Sequence, residues 1–350
     1  MDKELNNNPV LLTMMVITML VIIIAGLKAA STLLTPLILA LFLATLSASL
    51  INYLVKRGVP KFLSWVSVLI FIVSFIVVLG LMVSASANEF ASKLPTYMEK
   101  LDLIIDQSML SLGLSTEIDT EHFKNIYHPG YLLNYTVSAA SRVGEVLSEG
   151  FLIVLTVIFM LIQRHSFVDK VKYLTEDDAA YSHFKKVTKL IDHYFLILTL
   201  FSTLTGITVY VALVLLNIDF ALMWALAAFF LNFIPNIGSI IAAAPPILLA
   251  LIEHDPIHAG VVASVYFLIN LVYGTMLQPR YIGKGLDLSI LVVFLSLVFW
   301  GWVFGPVGMF LSVPITIMFK ILFESSEKTQ WIAVMLGSEP DTALEREIKG

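Results

Sequence analysis

Hydrophobic residues occur in long runs along this chain, and short polar segments separate them. A helix needs about 20 mostly apolar residues to cross the hydrocarbon core of a membrane. By that measure single spans are predicted over residues 9–27, 31–54, 62–86, 146–163, 193–216 and 256–278. Two further apolar stretches, 220–252 and 288–319, are interrupted near their middle. The pattern predicts an all-α polytopic membrane protein with about eight transmembrane elements.

The two interrupted stretches carry no charged side chain, yet proline and glycine lie at the centres of both, with asparagines at the centre of the first. The first is broken over residues 232–238, and the second is broken over residues 305–308. Non-helical backbone at membrane depth persists where protein or a water-filled cavity surrounds it. Such breaks are typical of transport sites built from discontinuous helices. Each stretch is predicted to be either a re-entrant hairpin or a pair of short full spans.

The spacing of the breaks indicates an internal repeat. Pro-x-x-Gly at 235–238 aligns with Gly-x-x-Gly at 305–308, and prolines follow at 245 and 314 with a slip of one residue. The charges that flank the two stretches predict that they enter the membrane from opposite faces. An inverted repeat is a common plan of secondary transporters.

The polar groups at the breaks are the candidate binding site. Proline withholds a backbone donor and glycine admits unusual backbone angles, so carbonyls become free to meet a solute or a small cation. The structural alternative is that these groups join helices to one another. The predicted substrate-binding residues are Asn232, Pro235, Asn236, Gly238, Ser239, Asn270, Gly305, Pro306, Gly308 and Ser312. The predicted hairpin breaks are Pro245, Pro246 and Pro314.

Charged residues are absent from the middle of every predicted span. Because intramembrane charges mark proton relays and ion paths, their absence favours a neutral polar solute. Basic residues in the loops 55–61, 164–192 and 279–287 predict that these loops are cytoplasmic. Both termini are then cytoplasmic, and the segment 87–145, in which acids outnumber bases, lies outside. Lys28, on the predicted outer side, does not follow this rule.

The spans and loops together predict the organisation of the chain. Apolar residues recur at three- and four-residue steps from Phe90 to Met109, which predicts an amphipathic helix. That helix is expected to lie on the membrane surface, against another subunit, or over its own bundle. The predicted regions are a three-span region 1–86, an outer helical insert 87–145, spans four and five with a cytoplasmic helical loop (146–216), a transport region 217–323 and a cytoplasmic tail 324–350.

Composition narrows the class of protein further. The 350 residues have a mean hydropathy of +0.90 and 13% charged side chains, against about 25% in soluble domains. There is no cysteine, which excludes disulfides and thiol catalysis. His254 and His258 have a zinc-like spacing, but Pro256 disrupts the helix that such a site requires. We predict a protein that is not an enzyme, has no cofactor or metal, and has the lipid bilayer rather than nucleic acid as its environment.

Three segments resemble the autoinducer-2 exporter (AI-2E) family. They are AFFLNFIPNIGS at 228–239, QPRYIGKGLDLS at 278–289 and LVVFLSLVFWGWVFGPVGMFLSVP at 291–314. The similarity is greatest to the subgroup that exports the quorum-sensing signal autoinducer-2. Many relatives carry His-Pro where this chain has Ser289-Ile290, and this departure is consistent with that subgroup.

The resemblance implies a homopentamer in the bacterial inner membrane that moves its hairpin domain like an elevator. It also implies efflux of a small, polar, diol-like signal. Three hypotheses stay open: export of autoinducer-2 or a similar metabolite, sodium- or lithium-linked cation antiport, and a membrane scaffold or regulator that transports nothing.

Overall fold

The computed structural model describes residues 9–111, 150–163, 170, 173, 178–235, 237–282, 288–324 and 329–338. The sequence predictions for Asn236, for most of the insert beyond residue 111, for much of the loop 164–192 and for the tail beyond residue 338 lie outside the described residues. All regular elements within the described residues are helical, so the all-α prediction is confirmed.

The helices follow the predicted apolar runs closely. In chain order they are α1 (Pro9–Ala29), α2 (Ser31–Lys56), α3 (Lys61–Ser111), α4 (Gly150–Gln163), α5 (Asp178–Leu215), α6 (Ala221–Leu231), α7 (Ile237–Glu253), α8 (Pro256–Ile269), α9 (Gln278–Ile282), α10 (Ile290–Phe304), α11 (Pro306–Glu324) and α12 (Gln330–Leu336). A π-helix (Asn270–Leu277) lies between α8 and α9.

Five helices in the described part of the chain are long and apolar enough to cross a membrane. These spans are Ser31–Lys56, Lys61–Ile104, Thr188–Leu215, Pro256–Ile282 and Pro306–Glu324. Large apolar side chains remain exposed on α1 to α4, as on Met19, Phe62 and Phe151. In a bilayer such surfaces face lipid, which is as apolar as the side chains themselves. The protein is therefore a multi-pass membrane protein.

The chain divides into two compact units, and each is described by itself. Unit 1 contains residues 1–43 and 286–350, and unit 2 contains residues 44–285. In unit 2, α6 and α7 pack against each other, α5 packs on α6, and α8 packs on α7. In unit 1, α10 and α11 pack against each other, with α1 beside α10 and α12 beside α11.

Each unit contains one of the interrupted stretches as a helical hairpin. Hairpin 1 is α6, the turn that begins with residues 232–235, and α7. Hairpin 2 is α10, Gly305 and α11. At about 1.5 Å rise per residue, the 11 residues of α6 extend only about 16 Å. That is about half of a hydrocarbon core of about 30 Å, so α6 is too short to cross it.

The three prolines predicted to break the hairpins do not do so. Pro245 and Pro246 lie inside the continuous helix α7, and Pro314 lies inside α11. Each proline removes one donor, but membrane helices tolerate this loss where neighbouring helices and small local adjustments satisfy the freed carbonyl. The chain instead reverses at the turn that begins with residues 232–235 and at Gly305.

The first part of the predicted outer insert continues α3 without a break. Residues 89–101 of this long helix reach hairpin 1, where Leu94 and Tyr97 are buried. Phe90 packs edge-on against Phe220 and Trp224, with ring centroids 5.4 and 5.6 Å apart. The amphipathic face therefore covers its own bundle, which was one of the three expectations.

Candidate functional site

The tip of hairpin 1 is a tight, partly hydrogen-bonded turn. Asn232 ends α6 and its backbone N–H donates to the carbonyl of Ala228 at 3.0 Å. Pro235 cannot donate to the carbonyl of Leu231, and the N–H of Ile234 takes that place at 2.8 Å. The carbonyl of Leu231, predicted to be free for a ligand, is therefore already hydrogen-bonded.

A side-chain hydrogen bond ties this tip to α5. The Nδ2 of Asn232 donates to the Oγ of Ser202 at 3.0 Å, and Ser202 is completely buried. One turn further along α5, a Cβ added to Gly206 would lie 3.1 Å from the Cβ of Phe229. Small residues on α5 thus let α6 approach closely, as they do in many membrane bundles.

The contact with Ser202 places the break in the middle of the membrane-crossing part of α5. That part extends over Thr188–Leu215. Ser202 lies 13 residues before its end, which is about 20 Å of helix. The hydroxyl of Thr205, on the same face of α5 and 8% exposed, has no hydrogen-bond partner among the described residues. An amide and two hydroxyl-bearing side chains therefore lie near this depth.

Gly238 allows the two arms of hairpin 1 to meet. A Cβ built at this position would lie 1.7 Å from the carbonyl oxygen of Leu231 and 3.2 Å from the Cβ of Ile234. Real Cβ atoms essentially never lie within 3.0 Å of another heavy atom. The backbone of α7 can begin where it does because residue 238 has no side chain.

Hairpin 2 repeats this local geometry in unit 1. A Cβ at Gly308 would lie 1.9 Å from the carbonyl oxygen of Trp300 and 2.9 Å from the Cβ of Phe304. The chain turns at Gly305, whose φ of 68° is costly for other residues, and Pro306 begins α11. Each hairpin thus places a glycine against a carbonyl of its preceding arm, which supports the predicted repeat.

Polar side chains of hairpin 2 are largely engaged in its own packing. Ser312 is completely buried, and its hydroxyl donates to the carbonyl of Met309 at 2.8 Å. The Nε1 of Trp300 donates to the Oγ1 of Thr316 at 3.1 Å, so the two arms share a buried hydrogen bond. Ser312, a predicted binding residue, therefore stabilises α11 in this conformation.

Asn270 lies where α8 passes into the π-helix. A Cβ added at Gly274, one turn further along the chain, would lie only 2.8 Å from the Oδ1 of Asn270. The Asn270 side chain therefore lies over that glycine. Farther along the π-helix, the hydroxyl of Tyr273 lies 3.2 Å from the Oγ1 of Thr208 on α5. π-helical segments are rare and occur often at functional sites. This segment adds a second polar link between α5 and the rest of unit 2.

Charged side chains gather at the end of hairpin 1 remote from its tip. We call Lys93, Tyr97, Asp219 and Glu253 the charged cluster. The Nζ of Lys93 and the hydroxyl of Tyr97 each lie 2.8 Å from Oδ2 of Asp219. The same hydroxyl lies 3.0 Å from Oε1 of Glu253. Because a hydroxyl has one proton, Tyr97 donates to one carboxylate at a time.

The two carboxylates of the charged cluster respond to it in opposite ways. The hydrogen bond from Lys93 lowers the pKa of Asp219, and burial raises the pKa of Glu253. The stability from Asp219 is present above its ordinary pKa of 3.8 and is lost as pH falls through the lowered value. Protonated Glu253 stabilises the fold. This contribution is fully present below pH 4.5, the ordinary pKa of the group, and is lost as the pH rises through the raised pKa.

Residues 16–328 match the sequence profile of the AI-2E family transporter. This chain belongs to the AI-2E transporter family. The AI-2 transport protein TqsA of Escherichia coli is 38% identical over 326 residues, which cover 91% of this chain and 93% of TqsA. The provisionally named transport protein YhhT of the same organism is 34% identical over 91% of this chain and 92% of its own length. A provisionally named transport protein of Haemophilus influenzae is 36% identical over 94% of this chain and 97% of its own length.

The predicted site residues of this AI-2E transporter divide between the two units. Unit 2 brings Asn232, Pro235 and Gly238 together at one tip, with Ser239 following in α7, and holds Asn270 at the π-helix. Unit 1 holds Gly305, Pro306, Gly308 and Ser312 in hairpin 2. Asn236 lies outside the described residues.

Sequence reasoning missed Ser202, which holds the amide of Asn232, and Tyr273 in the π-helix. A signal for Ser202 exists, because Ser202, Thr205 and Gly206 form a stripe of small residues in the membrane-crossing part of α5. An apolar cavity of about 380 Å³ between α3 and α4 is lined by Phe62, Trp65 and other mostly apolar residues. It lies away from the polar groups and does not suit a small polar solute.

Proposed function

We propose that this AI-2E transporter exports autoinducer-2 or a similar small polar metabolite. The observation that carries the proposal is the Asn232–Ser202 pair, in which a buried hydroxyl holds a half-buried amide at a break without charged side chains. Amides and hydroxyls recognise a polyol by hydrogen bonds and need no counter-charge. The likeness to a protein named for AI-2 transport supports this choice of solute.

We propose that the hairpins move as an elevator. Two features support this: each hairpin folds on its own glycine contact, and the tip of hairpin 1 is joined to α5 by one side-chain hydrogen bond. A single neutral hydrogen bond contributes about 1 kcal/mol. Breaking this hydrogen bond therefore adds little to the cost of separating the tip from α5.

The assembly and orientation complete the proposal. The exposed apolar surface of α1, which includes Met19 and Ile22, is available to lipid or to another subunit, and we propose a homopentamer. We propose the inner membrane of a bacterium, with both termini cytoplasmic, on the distribution of basic residues in the loops.

Efflux of labelled autoinducer-2 from proteoliposomes tests the proposed function. The wild type is expected to release the solute faster than protein-free liposomes do. Asn232→Ala is expected to reduce the rate by an order of magnitude or so, as losing one oriented hydrogen bond and unpairing its partner predicts. The matched control is Asn52→Ala, an exposed asparagine on α2, which is expected to behave as the wild type.

Cation antiport is the second candidate, and the charged cluster is the observation that favours it. Its two carboxylates have the chemistry to exchange a proton, although they lie at the end of hairpin 1 and not at the break. Vesicles loaded with a pH-sensitive dye and challenged with sodium separate the two. A sodium-driven pH change that is lost in Asn232→Ala would contradict export of a neutral solute. If neither ions nor solutes move, the scaffold hypothesis is favoured.

A further inference from the structure

The carboxyl-terminal end of α10 presents carbonyls that its own hairpin cannot fully satisfy. Gly305 leaves the helical conformation with φ 68° and ψ −149°. The next residue, Pro306, has no N–H to offer the carbonyl of Trp302. The end of a helix also carries a partial negative charge of about half an electron. Such an end attracts a cation or a protonated amine.

Lys28, in the last turn of α1, supplies that positive charge. Its Nζ donates to the carbonyl of Trp302 and lies 3.5 Å from the carbonyl oxygen of Val303. It also lies 5.5 Å from the centroid of the Trp302 ring, within the range of a cation–π contact. Two carbonyls and an indole face thus surround one ammonium group.

The position of Lys28 is anomalous in the sequence. It is the one charged residue between positions 9 and 55, and it does not follow the distribution of basic residues in the other loops. Its neighbour Leu27 packs against the buried cluster of Trp300, Val303 and Phe304. The end of α1 is therefore held against hairpin 2 by apolar packing as well as by the ammonium group.

Hairpin 1 satisfies the carbonyls at the end of its first arm without a charge. The backbone N–H groups of Phe233 and Ile234 donate to the carbonyls of Phe230 and Leu231, at 3.3 and 2.8 Å. The two hairpins share the glycine–carbonyl contact but differ in what approaches the end of the first arm. At hairpin 2 a positively charged side chain from α1, Lys28, approaches the end of the first arm.

We propose that Lys28 is a tethered cation that occupies the carbonyl site at the tip of hairpin 2, so that this site functions without bound sodium. Sodium and lithium prefer oxygen ligands, and carbonyls at the end of a broken helix bind them in other transporters. With the ammonium group in place, those oxygens are already satisfied. The significance for transport rests on the proposed function, but the occupation of the site does not.

Cation-dependent thermal stability of the purified full-length protein tests this proposal. The apparent melting temperature is measured in sodium, lithium and choline chloride at equal ionic strength. We expect the wild type and Lys28→Arg to melt at the same temperature in all three salts. We expect Lys28→Ala to melt lower in choline and to recover part of the loss, saturably, in sodium or lithium. Lys56→Ala, the last-turn lysine of α2, is the matched control and should show no cation dependence.

Three results would overturn the proposal. The first is a saturable rise of the wild-type melting temperature with sodium, which would mean that a cation site is already open. The second is a Lys28→Ala protein that is as stable as the wild type in choline. The third is a loss of stability in Lys28→Ala that no monovalent cation restores, which would make Lys28 a structural clamp only. The wild-type measurement stands even if Lys28→Ala does not fold, and none of the three depends on whether autoinducer-2 is exported.

Discussion

Replacing Gly238 by alanine tests the close contact on which hairpin 1 depends. The new Cβ would lie 1.7 Å from the carbonyl oxygen of Leu231. To reach even the 3.0 Å limit seen for real Cβ atoms, the two backbones must separate by about 1.3 Å. Neither backbone is a flexible side chain that can swing aside, because both belong to the tip of the hairpin.

The expected cost is at or above the upper end of the range for overpacking, about 3 kcal/mol. In a helix without such a contact, glycine to alanine has the opposite effect and stabilises by about 0.5–1 kcal/mol. Gly260 in α8 provides that matched control, because a Cβ there meets nothing within 4 Å.

Thermal unfolding of the purified variants in detergent measures the difference. Gly238→Ala is expected to melt below the wild type, and Gly260→Ala at or above it. Gly308→Ala, whose Cβ would lie 1.9 Å from the carbonyl oxygen of Trp300, should behave like Gly238→Ala. If Gly238→Ala proves as stable as Gly260→Ala, the hairpin does not depend on the glycine contact and the reasoning fails.

Two further predictions concern the polar groups of unit 2. In a double-mutant cycle, Asn232→Ala and Ser202→Ala are each expected to cost about 1 kcal/mol, and the double variant little more than either, because both remove one hydrogen bond. Additive losses in thermal unfolding would show that the two side chains do not interact. Glu253→Gln is expected to raise the melting temperature relative to the wild type at pH 7.5, and the gain should shrink as pH falls toward 4.5, because burial raises the pKa of Glu253. A gain that grows with acidity would contradict that direction.

The sequence was sufficient to predict the spans and the two interruptions, because both depend on local composition. Runs of apolar residues predict helices of the right length, and α2, α5 and α8 begin or end close to the predicted limits. Asn232 and Gly305 also lie at the turns that the breaks predicted. These features follow from what a bilayer permits the backbone to do.

The prolines show where local reasoning fails. A proline in the sequence shows that one backbone donor is missing. Whether the helix continues depends on the helices that surround it. In α7 the helix continues through Pro245 and Pro246. The partners of Asn232 and of the Trp302 carbonyl come from distant parts of the chain, at Ser202 and Lys28. A local pattern can mark Ser202 as a position of close helix contact, but it does not identify the partner, because the pairing depends on how the helices pack.

The uncharged break at Asn232 is proposed to bind a polar, uncharged solute. Equilibrium binding of labelled autoinducer-2 to purified wild-type and Asn232→Ala protein, with and without sodium, measures this property itself. We predict saturable binding by the wild type that sodium does not change and that Asn232→Ala loses. Binding that survives in Asn232→Ala, or that requires sodium, would contradict the claim.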